Sequence, residues 1–171
     1  MKMEYNDFLD GKSHLDYSVG FKASFVPDYL FDFQKYLLEW SCRQGRSAQF
    51  ADCGLGKTIL QLTWAENVVR ETNKPVLILT PLAVSYQTVK EGEKFGIECK
   101  RSNAGEINSK IIVTNYERLH YLDKNKFSGV VCDESGILKH FSGNSKGGHR
   151  FYEKDSIPII GNRNGSTKRL H

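Results

Sequence analysis

The stretch FADCGLGKT (residues 50–58) constrains the fold more than any other part of the chain. It sets two glycines, a lysine and a threonine between RSAQFAD (46–52), which reads as a short strand, and KTILQLTWAENVVRETN (57–73), which reads as a helix. A glycine loop in that context is a backbone cradle for phosphate. Gly54 and Gly56 let the chain turn so that N–H groups point inward, and Cys53 and Leu55 belong to the same loop. The start of the helix adds unpaired N–H groups and a positive dipole end. Lys57 is placed to hold β- and γ-phosphates, and the Thr58 hydroxyl to ligate Mg²⁺. A glycine turn followed by Lys-Thr through chance is the alternative, and the flanking strand and helix argue against it.

Such a site needs an acidic pair at the end of a later buried strand. FSGVVCDES (127–135) supplies one: Val130, Val131 and Cys132 are apolar, so Asp133 and Glu134 fall at the strand's carboxyl end, where open α/β sheets bind ligands. Asp133 is placed to hold Mg²⁺ through water. Glu134 is placed to orient or deprotonate an attacking water. Two solvated acids in a turn are the plainer reading of Asp-Glu alone. Upstream, Gln34 in LFDFQ offers both donor and acceptor to the N6 and N7 edge of adenine, with Phe31 or Phe33 near the base. Taken singly, Gln34 is a polar residue on an amphipathic helix.

The remaining pattern is α/β. PDYLFDFQKYLLEWSCRQ (27–44) predicts a helix whose apolar face is Phe33, Tyr36, Leu37 and Trp40, with Asp28 or Asp32 as cap and Gly45 as stop. In the 57–73 helix, Ile59, Leu60, Leu62, Trp64, Val68 and Val69 are expected to pack on a sheet. PVLILT (75–80) predicts a strand buried on both faces. Residues 83–95 predict a helix ended by Gly96. Further strands are expected at 97–102 and 110–116, with helical turns at 117–122. Strands alternating with helices predict a mainly parallel sheet.

The pattern fades after residue 140, where SGNSKGG (142–148) has the composition of a linker and SIPIIG (156–161) is an isolated apolar patch. Residues 137–171 carry seven Lys/Arg and two acids, against 17 and 18 in the rest of the chain. This tail is expected to be disordered and to bind nucleic acid through charge alone. The longest apolar run, PVLILTPLAV (75–84), is too short for a membrane span, and MKMEYNDFLD lacks the apolar stretch of a signal peptide. Four scattered cysteines without a CxxC pair argue against zinc and disulfides. The expected compartment is the cytoplasm.

In order and spacing, LFDFQ, ADCGLGKT, LILTPLAVSYQT, VTNYERL and VVCDES resemble the superfamily-two helicases. They look closest to phage-type DEAD/DEAH-box-like and Swi/Snf-like ATPases, over about residues 20–140. The resemblance implies a P-loop NTPase, RecA-like lobe: a three-layer sandwich around a mainly parallel sheet, incomplete and followed by an irregular basic tail. It divides the chain into an extension (1–24), a partial ATP-binding lobe (25–140) and the tail (141–171). It implies ATP and Mg²⁺ as ligands. Gln34 matches the adenine-reading glutamine; Gly54, Gly56, Lys57 and Thr58 the phosphate motif; Asp133 and Glu134 the metal and water motif. It also places Thr80, Pro81, Gln87, Thr114, Asn115 and Tyr116 on a nucleic-acid face that holds DNA, single- or double-stranded, without reading bases. For Thr80 and Pro81, merely ending a strand is the competing role.

The departures are Ala51 where the phosphate motif usually opens with glycine, and Gly136 where relatives often carry a second serine. The resemblance also leads one to expect a Ser-Ala-Thr strand and a second lobe with an arginine finger, neither matched after about residue 141. The expected protein is a truncated ATPase lobe, weakly active or inactive alone, in the host cytoplasm if phage-encoded. The alternatives are a non-enzymatic nucleotide- or DNA-binding adaptor partnering a separate lobe, and a decayed fragment. A small-molecule kinase is disfavoured by TNYE, Asp-Glu-Ser and the lack of an arginine-rich lid.

Overall fold

The computed structural model describes residues 19–49, 51–52, 54–134 and the backbone of 159–162. Six strands form one sheet: β1 (Ser47–Gln49), β2 (Val76–Thr80), β3 (Lys100–Arg101), β4 (Ile111–Asn115), β5 (Gly129–Cys132) and β6 (Ile159–Asn162). Their spatial order is β1-β6-β5-β2-β4-β3, and every pairing is parallel. The helices are α1 (Asp32–Gln44), α2 (Lys57–Thr72) and α3 (Leu82–Lys94), and 3-10 turns cover Tyr116–Tyr121 and Lys124–Lys126.

The strand sequences explain the layering. VLILT and IIVTN are buried at every position, as a parallel sheet covered on both faces requires. Alternation then sorts the side chains. Val76, Ile78, Ile111 and Val113 pack with Leu38, Leu60, Leu62, Trp64 and Val68 from α1 and α2. Leu77, Leu79, Ile112, Val130 and Cys132 pack with Tyr116, Leu119, Leu122 and Phe127 on the opposite face. Of the residues expected to line α2's inner side, Ile59, Leu60, Leu62, Trp64 and Val68 are buried and Val69 is partly so.

Helix α1 corrects the expectation about its face. Phe33, Tyr36 and Trp40 are exposed, at 44%, 70% and 37%. The buried residues are Gln34, Leu38, Ser41 and Cys42. The physical reason is polar: Gln49 Nε2 on β1 donates to Leu37 O and Ser41 Oγ, so a serine and a glutamine belong to the interior. A count of apolar spacing cannot see a face whose polar groups are satisfied by another strand. The helix also begins later than residue 27, and neither Asp28 nor Asp32 caps it; the N-cap is Phe31. Gly45 does end it, at φ +70°.

Two segments expected outside the lobe make hydrogen bonds to it. Residues 20–24, assigned to an N-terminal extension, are stitched to the lobe. Gly20 N and Phe21 N donate to Arg43 O and Cys42 O, and Asn67 Oδ1 accepts from Ser24 N and Phe25 N. A Cβ on Gly20 would lie 1.9 Å from Cys42 O, so this approach admits only glycine. At the other end, residues 159–162 were expected to lie beyond the fold. They form β6, paired with β1 on one side and β5 on the other. Such a short strand has too little sequence to announce itself, and its neighbours supply the hydrogen bonds that define it. The rest of the tail, residues 135–158 and 163–171, lies outside the described residues. The strand expected at 97–102 shrinks to Lys100–Arg101.

Candidate nucleotide site

Because all strands are parallel, the segments following β1, β2, β4 and β5 leave from one edge of the sheet. The glycine loop follows β1, Pro81 follows β2, Tyr116 follows β4, and Asp133 and Glu134 follow β5. The loop and the acidic pair, far apart in sequence, therefore share an edge, with the C-terminal end of β6 between their strands.

The loop has the backbone that its sequence demands. Gly54 and Gly56 both take positive φ, +83° and +70°. A Cβ on Gly54 would meet nothing within 4 Å, whereas one on Gly56 would lie 2.5 Å from Gln34 Nε2. Gly56 is thus required for conformation and for room. It is also the N-cap of α2, so the first N–H groups of that helix start at the loop. Lys57 Nζ reaches back 3.3 Å to Ala51 O and spans the loop. Leu55 is exposed and Thr58 half-buried; Cys53 lies outside the described residues.

Gln34 is 3% exposed, and each end of its amide makes one hydrogen bond. Its Oε1 accepts from Phe31 N at 3.0 Å, and its Nε2 donates to Leu55 O at 3.0 Å. The side chain ties the start of α1 to the glycine loop. Phe31 and Phe33 stack with ring centroids 6.1 Å apart and remain exposed beside it.

The acidic turn is held by three elements. Asp133 N donates to Leu79 O at 2.9 Å. Gln61 Nε2, on α2, donates to Asp133 Oδ1 at 3.0 Å. Tyr116 Oη donates to the Asp133 carbonyl. Glu134 is exposed and sits at φ +55°, a left-handed conformation costing a side-chain-bearing residue about 1–2 kcal/mol. The sequence reading missed Gln61. Its signal is a glutamine between Leu60 and Leu62 on a helix otherwise buried, where an amide needs a partner.

The residues carried over to a nucleic-acid face divide in two. Thr80, Thr114, Asn115 and Tyr116 are buried. Thr114 Oγ1 donates to Ser102 O at 2.9 Å, and Asn115 Nδ2 donates to Glu117. Thr80 Oγ1 is buried without a hydrogen-bond partner among the described residues. Gln87 is exposed, paired with Glu91 at 3.1 Å, and Pro81 is half-buried. Beside this segment the 103–106 loop closes on itself. The Glu106 carboxylate is pushed down to about 2 by the backbone N–H of Ala104, then by those of Glu106 and Asn103, and by the Ser102 hydroxyl.

No family model and no curated protein matches the chain. Solved structures do. The UvsW helicase from bacteriophage T4 superposes with a TM-score of 0.63 at 13% identity, covering 94% of this chain and 61% of that one. A second T4 UvsW structure gives 0.60 at 14%, covering 95% of this chain and 35% of that one. The Sulfolobus solfataricus SWI2/SNF2 ATPase core in complex with dsDNA gives 0.65 at 18%, covering 86% and 34%. The fold is RecA-like. This chain therefore spans between about a third and three fifths of the structures it resembles. Among the described residues, no helix is long and apolar enough to cross a membrane.

Proposed function

We propose that this chain is the ATP-binding lobe of a nucleic-acid-dependent ATPase of the superfamily-two helicase type. The observation that carries the reading is that loop and acid pair leave one sheet edge, with Gln61 of the helix following the loop donating to Asp133 at 3.0 Å. The residues fit a nucleotide with its metal. A Cβ on Gly54 would meet nothing within 4 Å, the loop turns through positive φ at Gly54 and Gly56, and Lys57 reaches back to Ala51 O.

In this reading Lys57 and the 54–58 backbone N–H groups hold the phosphates of ATP, and Thr58 and Asp133 hold Mg²⁺. The metal supplies charge neutralisation on the phosphate oxygens. Gln61 occupies one Asp133 oxygen and so fixes the carboxylate's direction while leaving the other oxygen free. Glu134, exposed and left-handed, orients a water and accepts its proton. Gln34 sets the height of the loop against α1 and reads adenine with its remaining N–H and lone pair. Pro81, Gln87 and the outer surface of 114–118 meet the sugar–phosphate backbone of DNA without base readout.

Turnover by this chain alone is expected to be slow. A cation delivered across the cleft contributes about 10³–10⁵ in rate to such reactions. Among the described residues Lys57 is the cation placed on the loop, and a second lobe is the natural source of another. Phosphate release with saturating single-stranded and duplex DNA, with Glu134→Gln as blank, tests this. DNA-stimulated release of about 1–10 per second, absent in the blank, would overturn the need for a second cation.

The inward-turned Thr80, Thr114, Asn115 and Tyr116 favour a second reading, an adaptor that binds nucleotide or DNA for a separate lobe. Nucleotide binding with no turnover, even after a helicase second lobe is added, supports it.

A further inference from the structure

We infer that Tyr116 is a positioning residue that couples nucleic acid at the β4 edge to the geometry of Glu134. The inference rests on the proposed ATPase reading. Tyr116 belongs to two places at once. Its backbone follows Asn115 directly and opens the Tyr116–Tyr121 turn, between the buried end of β4 and the surface residues Glu117 and Arg118. Its ring is 3% exposed and runs inward, and its hydroxyl ends on the carbonyl of Asp133.

That carbonyl is the last backbone acceptor before Glu134. Among the described residues the other supports of the turn are Leu79 O, which accepts from Asp133 N, and Gln61, which donates to the Asp133 carboxylate. Glu134 itself sits at φ +55°, a conformation that persists only while its surroundings impose it. Moving the Tyr116 backbone therefore moves, or releases, one of three tethers on Asp133, the residue just before the conformationally unfavourable Glu134. The surface side of the same segment is anchored too: Asn115 donates to Glu117, and Arg118 Nη1 donates to Asn103 O at 2.6 Å. A DNA phosphate that draws Arg118 away from Asn103 O pulls on the element carrying Tyr116. The buried Asn115 and Tyr116, which look unavailable for DNA contact, act as the link rather than the contact.

The test uses the full chain and measures Mg²⁺·ATP affinity with and without saturating duplex DNA, and duplex affinity with and without ATP. In the unmodified protein each ligand changes the other's affinity by the same factor, within the usual range of about 5–150-fold. Tyr116→Phe keeps the ring in the core and removes only the hydroxyl. It is expected to bring both factors to near unity and to lower the melting temperature modestly, because the Asp133 carbonyl loses its donor. Tyr121→Phe, at an exposed tyrosine in the same turn, is expected to change neither factor. Should Tyr116→Phe not fold, amide exchange at Asp133 and Glu134 in the unmodified chain decides: DNA without nucleotide must alter it. Coupling that survives Tyr116→Phe overturns the inference, as does binding of both ligands with no mutual effect. A chain that binds no ATP, with Lys57→Ala indistinguishable from the unmodified protein, instead removes the ATPase reading and the inference with it.

Discussion

The segments after β1 and after β4 leave the same edge of the sheet, and both were expected to contact ligands, but they spend their polar groups differently. After β1 the glycine loop leaves room at Gly54, where a Cβ would touch nothing, and Lys57 reaches back to Ala51 O. After β4, Thr114, Asn115 and Tyr116 direct their side chains into internal hydrogen bonds. A motif at a strand end thus fixes where a residue sits and leaves its partner to the tertiary structure. In the proposed reading the loop takes a ligand that arrives from outside. The β4 segment holds its neighbours through Thr114, Asn115 and Tyr116, and the inferred effect on ligand binding runs through them.

Lys57→Ala is the harshest test of that contrast. It should lower Mg²⁺·ATP affinity by about 30-fold or more, roughly the 2–3 kcal/mol of a hydrogen-bonded charge. The melting curve without nucleotide should not move. Calorimetry and thermal unfolding on both proteins check this, and equal affinities would remove the open-loop half of the comparison. Thr114→Val should do the reverse. It orphans the Ser102 carbonyl and should cost about 1–2 kcal/mol in urea unfolding, with nucleotide affinity unchanged. If instead the variant is as stable as the original but binds DNA more weakly, its hydroxyl serves the ligand and the contrast collapses.

Gln34→Ala falls between the two. Gln34 belongs to the core by burial and to the loop by its bond to Leu55 O. We expect a loss of about 1 kcal/mol in stability together with loss of a preference for ATP over GTP in competition binding. Loss of stability alone would make Gln34 purely a strut.

The smallest effect is at Glu106, in the third segment of this edge. Its folded value lies below that of a free carboxyl, so its contribution is present at neutral pH. It begins to fade as pH falls below the ordinary carboxyl value and is lost through about 2. Amide exchange at Asn103 and Ala104 should quicken over that window, and Glu106→Gln should flatten the pH dependence. An unchanged profile would mean that the 103–106 loop does not depend on the carboxylate.

Much of the fold was legible in the sequence, for local reasons. Unbroken apolar runs gave β2, β4 and β5, because only strands covered on both faces tolerate them. Two glycines before Lys-Thr gave the loop, because positive φ at Gly54 and Gly56 is a demand that sequence shows directly. The end of α1 at Gly45 was legible on the same ground.

What the tertiary structure alone decided concerns polar groups and short pieces. The inner face of α1 is set by Ser41 meeting Gln49, and that bond outweighs the apolar spacing of Phe33, Tyr36 and Trp40. Gln61 meets Asp133 across 72 residues of chain, and Tyr116 meets it across 17. Residues 159–162 become a strand because β1 and β5 leave a paired slot for them. Each case has the same cause. Apolar burial is nearly additive in surface area, so a local pattern carries it. A buried polar group is stable only with a particular partner, and that partner is named by the fold.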